Sequence, residues 1–351
     1  MRSVRINLSP TVFAGRRIAA VDELKGVGIL LIIIYHSCGV LGAPNTIHGE
    51  IGVDIFLLLS GFTQALTSAE MPLGRFALRR FLRIYPSYWI ALGLFIWMHY
   101  RYLGIVRPWS SIWQHIAGVH AFSRQETFSD FTYAFWFVSM IVAAYVAFAC
   151  IRRHLDNLSL VFAVSGLLTV TAAVVYQVNG NEAGLRSLAI RIPSFFAGVV
   201  AGRLLGAGTA EIRFNLLLGL GLICFYYLTF FRGITCDYTL PAIGFVLTWI
   251  GFRWLVLKIP LGGALLASFS LLGLISYEIY LFHQPLIRDY NLYVYHVILH
   301  VPAPTHEQLL TGIFLALGLT LAVSVAVHAV VARAFALLGG DATRRLPAGA
   351  G

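Results

Sequence analysis

Apolar runs close to twenty residues long, parted by short polar stretches, make up most of this 351-residue chain. Crossing a bilayer core takes about 20 apolar helical residues. The runs therefore predict about ten membrane spans, at 24–41, 51–69, 85–104, 134–151, 158–177, 188–206, 214–231, 239–257, 262–286 and 309–335. Arg191 and Pro193 interrupt the sixth run and Glu278 the ninth. In lipid, backbone polar groups must pair internally, so continuous apolar runs of this length form helices. The fold class expected is all-α, a polytopic integral membrane protein. Two connections are long, the expected outer loops 105–133 and 287–308. No Pro/Ser-rich linker, low-complexity tract or internal repeat divides the chain. One membrane domain is expected over 1–351, with a core at about 16–338, short basic tails and no appended soluble domain. The first span is expected to serve as an uncleaved anchor, because the residues before Arg16 hold no long apolar core.

Composition agrees: 59% of residues are hydrophobic, 11% are charged, and the mean hydropathy is +0.81. The net charge of +10 would suggest nucleic acid for a soluble protein. In a membrane chain it reflects basic residues gathered on the cytoplasmic side, so membrane lipids are expected partners and nucleic acid is not. Ten spans put both termini on one side. Termini placed inside bring most of the 25 Lys and Arg residues inside, among them Arg16, Arg17, Arg79, Arg80, Arg83, Arg152, Arg153, Arg344 and Arg345. The orientation expected is N-in and C-in. Tyr100, Tyr102, Trp109, Trp113, Tyr290, Tyr293 and Tyr295 fall at the expected outer boundary, where amphipathic rings collect. Cys38, Cys150, Cys224 and Cys236 lack CxxC spacing and imply neither a metal site nor a disulfide framework.

Ionisable residues inside the spans change the picture from anchor to machine. Lys25 and His36 are nearly three helical turns apart, so they share a face and differ in depth by about 16 Å. A lysine at a helix end snorkels to water without needing a function. A mid-membrane histidine either bonds a neighbouring helix or lines a pathway. If spans one and two form a level hairpin, Asp54 lies within about 3 Å of the depth of His36. It would then orient the imidazole as a general base, or else cap the second span at its N-terminus. Arg75, Arg79 and Arg83 recur every four residues on an expected interfacial helix, with Phe76, Leu78, Phe81 and Leu82 turned to lipid and Pro86 opening the next helix. Two readings stand: a lipid-headgroup anchor, or a clamp whose arginine forks match phosphate oxygens.

In order and spacing, Lys25-x10-His36, GVDIFLLLSGF and RRFLRIYPSYW resemble the acyltransferase family 3 of membrane-bound acyltransferases. RIPSFFAGVVAGR from Arg191 and ISYEIYLFHQPLI from Ile275 are similar to two later family motifs. The resemblance implies a ten-helix bundle that moves an acyl group, usually acetyl, from cytoplasmic acyl-CoA to a hydroxyl of an extracytoplasmic glycan or related acceptor. It carries essential roles to Lys25, His36, Arg80 and Arg83. The chain departs from many members at Gly49-Glu50-Ile51-Gly52 and in lacking acidic residues after Trp136. Taken together, His36 and Asp54 are the candidate catalytic pair. Lys25, Arg79, Arg80 and Arg83 are candidate donor-binding cations, and Glu50, His283, Glu278 and Trp136 candidate acceptor-binding groups. Acyl-CoA is expected as a donor substrate rather than a resident cofactor, and the bacterial cytoplasmic membrane as the location. His36 acts as base or as acyl carrier. No metal site is expected; His296, His300 and His306 have a ligand-like spacing but suit an interfacial face, and His115 and His120 are placed to meet a polar acceptor. The rival reading is a secondary transporter with His36, Asp54 and Glu278 as a proton relay. A pair of matching broken helices, which would favour it, is not seen in the sequence.

Overall fold

A computed structural model describes residues 18–43, 49–123, 131–179, 184–206, 220–224 and 239–342. The helices are α1 (Ala19–Val40), α2 (Ile51–Thr67), α3 (Leu73–Leu103), α4 (Trp109–Ala117), α5 (Trp136–Ile151), α6 (Leu158–Asn179), α7 (Gly184–Gly206), α8 (Thr239–Val256), α9 (Gly262–Leu274), α10 (Ser276–Gln284) and α11 (His306–Ala342). No strand occurs among the described residues. Among the described residues seven helices are long and apolar enough to cross a membrane, and the bent pair formed by α9 and the segment from α10, taken as one span, makes an eighth. Helix α2 is apolar but shorter. Most of the expected span 214–231 lies outside the described residues.

Glycines set how closely the first helices pack. A Cβ on Gly52 would collide with the Gly28 carbonyl oxygen, and one on Gly49 with that of Leu31. Such backbone-to-backbone approach is how helices associate where lipid supplies no hydrophobic drive. The contact also fixes register. The start of α2 packs against Gly28 to Tyr35, not against the end of α1. The first two spans therefore do not form a level hairpin. Gly28 lies eight residues below His36, about 12 Å, so Asp54, two residues past Gly52, lies at least that far from its level. On its other face α2 runs alongside α7, with Gly61 and Gly198 each allowing a neighbouring carbonyl to approach.

The expected break at Pro86 does not occur: α3 is one 31-residue helix with the proline inside. Ile84, Tyr88, Ala91 or Leu92, Phe95 and His99 are buried at spacings of three and four, and Phe76, two turns before Ile84, continues the same register ahead of Pro86. A single inward stripe holds the amphipathic beginning and the spanning remainder to the same bundle face. Phe76 accordingly turns inward onto Tyr145 and Phe148, contrary to its expected lipid-facing position, while Leu78 and Phe81 stay exposed. Arg152 closes the preceding turn by donating to the carbonyls of Ala69 and Met71.

Within the expected loop 105–133, α4 lies back along α3. Three side chains of α3 cap the last turn of α4: Tyr88 to the His115 carbonyl at 2.7 Å, Trp89 to Ile116 at 2.9 Å and Tyr85 to Ala117 at 2.8 Å. Tyr88 is fifteen residues short of Leu103, so this helix end lies about 22 Å along α3 from its far end. A helix terminus among apolar side chains needs partners for its orphan carbonyls, and α3 provides them. The expected outer loop 287–308 also differs: the chain bends by 67° at the junction of α9 and α10 and continues through π-helical turns, Pro285–Tyr290 and Val294–Ile298.

Candidate active site

A cavity of about 120 Å³ lies between α1, α2, α3, α5 and α10, one end of it cationic. Lys25, Arg80 and Arg83 line it, although Lys25 belongs to α1 and the arginines to α3, with all of α2 between them in the chain. Arg79, one of the expected donor-binding cations, is exposed on α3 and does not line it. The Arg80 guanidinium lies 5.5 Å from the centre of the Tyr145 ring, an aromatic face that holds it in place. Ser60, Thr63 and Gln64 of α2 and Ser276 and Tyr277 of α10 supply hydroxyl and amide groups along the walls. Phe56, Phe137 and Tyr280 close the other end.

His36 lies beyond that aromatic end. Its ring is half-buried, 5.1 Å from the ring of His283 and 5.1 Å from that of Tyr35. Tyr280 links the two regions, since its ring meets Phe137 at 5.0 Å and His283 at 5.5 Å. His283 is fully buried, and its Nδ1 is 2.7 Å from the Tyr280 carbonyl and 3.2 Å from that of Ile279. The bundle thus brings His36 of α1, the candidate catalytic histidine, beside His283 of α10, a candidate acceptor-binding group.

Asp54 is not beside His36, as the level-hairpin argument required. It is fully buried, accepting a hydrogen bond from Ser194 Oγ at 2.9 Å and paired with Arg191. Arg191 also pairs with Glu50 at 2.6 Å and lies 5.6 Å from the centre of the Trp136 ring. Three candidate residues, Asp54, Glu50 and Trp136, therefore converge on an arginine that looked in the sequence like an interruption of a span. The signal was present: an arginine within a span calls for a buried partner, and Glu50, the residue before α2, and Asp54 stand four apart. Glu278 joins helices, accepting from Ser87 at 3.1 Å and facing His328 at 3.3 Å, and it does not line the cavity. His115 and His120 are fully buried with rings stacked at 4.0 Å, so they do not face an outer solvent as expected. His296, His300 and His306 are exposed.

One multi-pass helical bundle thus holds a cavity lined by Lys25, Arg80 and Arg83 and, beyond its aromatic end, the neighbouring rings of His36 and His283. The chain belongs to acyltransferase family 3: the family model described as "Acyltransferase domain" matches residues 18–329. The protein is thereby an enzyme, which sets aside the transporter reading. No curated protein and no solved structure gives a significant match.

Proposed function

We propose that the protein is an O-acyltransferase of a bacterial cytoplasmic membrane, with both termini in the cytoplasm, that takes an acetyl group from acyl-CoA and gives it to a hydroxyl of a glycan on the far side. The single observation that carries the reading is the placement of Lys25, Arg80 and Arg83 at one cavity whose opposite end borders the His36 pair. Coenzyme A carries a 3′-phosphate and a pyrophosphate, which arginine forks bind bidentately and a lysine binds as a point charge. Its pantetheine arm is uncharged, and Ser60, Gln64 and Tyr277 offer it hydrogen-bonding partners along an otherwise apolar wall. The arm is comparable in length to the rise of about 16 Å from Lys25 to His36. Phe56, Phe137 and Tyr280 turn aside for the thioester to pass. His36 then takes the acceptor's hydroxyl proton, a service worth about 10²–10⁴-fold in rate. Glu50 and Trp136, both held by Arg191, form part of the acceptor side.

Incubating the purified protein with radiolabelled acetyl-CoA and membrane glycans tests this. Label should pass to a base-labile ester in the parent and fail to do so in a His36→Ala variant that inserts and expresses normally. Undiminished transfer by the variant would remove His36 from the chemistry.

A further inference from the structure

His283 is a buried group that the proposed reaction leaves without a task, and its geometry gives it one. A carbonyl oxygen only accepts, so a ring nitrogen bonded to the carbonyls of Tyr280 and Ile279 must carry the proton. The Nδ1–H form is thereby fixed by the backbone of α10, and Nε2 holds a lone pair. Nε2 is buried and has no hydrogen-bond partner among the described residues. An unused acceptor in such a place costs about 1–3 kcal/mol, so its orientation calls for a ligand. The nearest ring with a donor to offer is His36, 5.1 Å away between centroids and tilted by 49°. At that separation a modest rotation of one ring brings nitrogen to nitrogen at about 3 Å. His36 is half-buried, whereas His283 is fully buried and pinned at two carbonyls, so the rotation falls to His36.

We infer that His283 is a positioning residue for His36: its Nε2 accepts the N–H of the His36 ring and so turns the other His36 nitrogen, lone pair outward, toward the acceptor hydroxyl. This rests on the acyl-transfer reading above. A chain of bonds follows, from the Tyr280 carbonyl through His283 to His36 and on to the acceptor. It resembles in logic the carboxylate that holds a catalytic histidine in the right tautomer, with a neutral imidazole in the carboxylate's place. A neutral partner suits an apolar site, because it orients the base without adding a buried negative charge. The step balances. The hydroxyl proton moves to His36, the oxygen forms a bond to the acyl carbon, the carbon–sulfur bond breaks, and His36 returns the proton to the departing thiolate to give free coenzyme A. While His36 is protonated, His283 Nε2 accepts a hydrogen bond from the imidazolium and stabilises it.

The test uses the purified full chain in lipid nanodiscs, with acetyl-CoA as donor and an alkyl glucoside or water as the probe acceptor. His283→Leu should lower kcat by about 100-fold or more with KM for acetyl-CoA changed less than about twofold. His283→Gln, which restores an acceptor oxygen, should recover about tenfold of that loss. Equal rates for Leu and Gln variants, or a change in KM alone, would overturn the positioning role. Nitrogen-15 histidine spectra of the parent decide the matter independently of variant folding: the resonance lost in His283→Gln should be that of an Nδ1–H tautomer, and an Nε2–H signal there would overturn the inference. A parent that turns over acetyl-CoA with neither acceptor would instead defeat the acyl-transfer reading itself, whatever the tautomer.

Discussion

Arg191 is 3% exposed on α7, and its charge is answered by Asp54, buried on α2, and by the more accessible Glu50. Ser194, one turn further along α7, bonds the second oxygen of Asp54 and also meets Thr239 of α8 at 3.0 Å. Three helices are thus pinned at one point. A buried ion pair adds little net stability over a well-packed apolar pair, but removing one partner leaves a charge with no water to receive it, at a cost of about 3–5 kcal/mol. We expect Arg191→Leu to destabilise by that amount, read as a lowered melting temperature in detergent. Arg191→Leu with Asp54→Leu should lose clearly less than the sum of the single changes, since the two removals share one interaction. Additive losses would show that the pair is not coupled. The presence of both residues was legible in the sequence, and their partnership was not. Local spacing suggests a level hairpin, which would set Asp54 beside His36. The register of α1 on α2 is set instead by glycine contacts between backbones, and tertiary contacts of that kind leave no periodicity in a single chain.

At the scale of elements, the aromatic residues of RIYPSYW have a structural task that composition does not announce. Tyr85, Tyr88 and Trp89 lie on one face of α3 and accept the C-terminus of α4 as a ligand, each donating to one of three successive carbonyls. Gly118, at φ 70°, provides the left-handed residue with which the helix ends. Replacing Tyr88 by Phe keeps the ring and removes the donor, which leaves a buried carbonyl at a cost of about 1–3 kcal/mol. Peptides covering 109–122 should then exchange their amide hydrogens faster, and faster still when Tyr85→Phe is added. Leu78→Ala, at an exposed position, should leave their exchange unchanged. Unaltered protection in the double variant would mean that other contacts hold α4. The spanning helices were legible because long apolar runs allow no other structure in lipid. The nine residues of α4 are too few for any spanning pattern, so their return along α3 follows only from partners on another helix. The same limit applies to the kink of α9 against α10, which lies inside a single apolar run.

For the whole molecule, the proposed reaction requires a bundle whose two faces meet different substrates, and the sidedness can be read directly. The cations of the cavity, Lys25, Arg80 and Arg83, all belong to the end of the bundle where α1 begins and where α2 turns into α3. The opposite end of α1 carries Gly39, exposed and with open space around an added Cβ, so a cysteine fits there without strain. Clustered basic residues are expected at a cytoplasmic face, so the proposed orientation puts position 25 inside and position 39 outside. In a chain freed of Cys38, Cys150, Cys224 and Cys236, a cysteine at position 39 should react with an impermeant thiol reagent in intact cells. One at position 25 should react only in inverted vesicles. Coenzyme A should protect position 25 and leave position 39 untouched, and the protection should weaken as salt rises, because it depends on phosphate contacts. Adding Arg80→Ala and Arg83→Ala should abolish the protection while leaving the labelling itself, since in the proposed reaction those side chains hold the nucleotide and not the helix. Protection that survives both changes would return the arginines to lipid anchoring. Labelling of both positions from the same side would defeat the topology and the transfer across the membrane together.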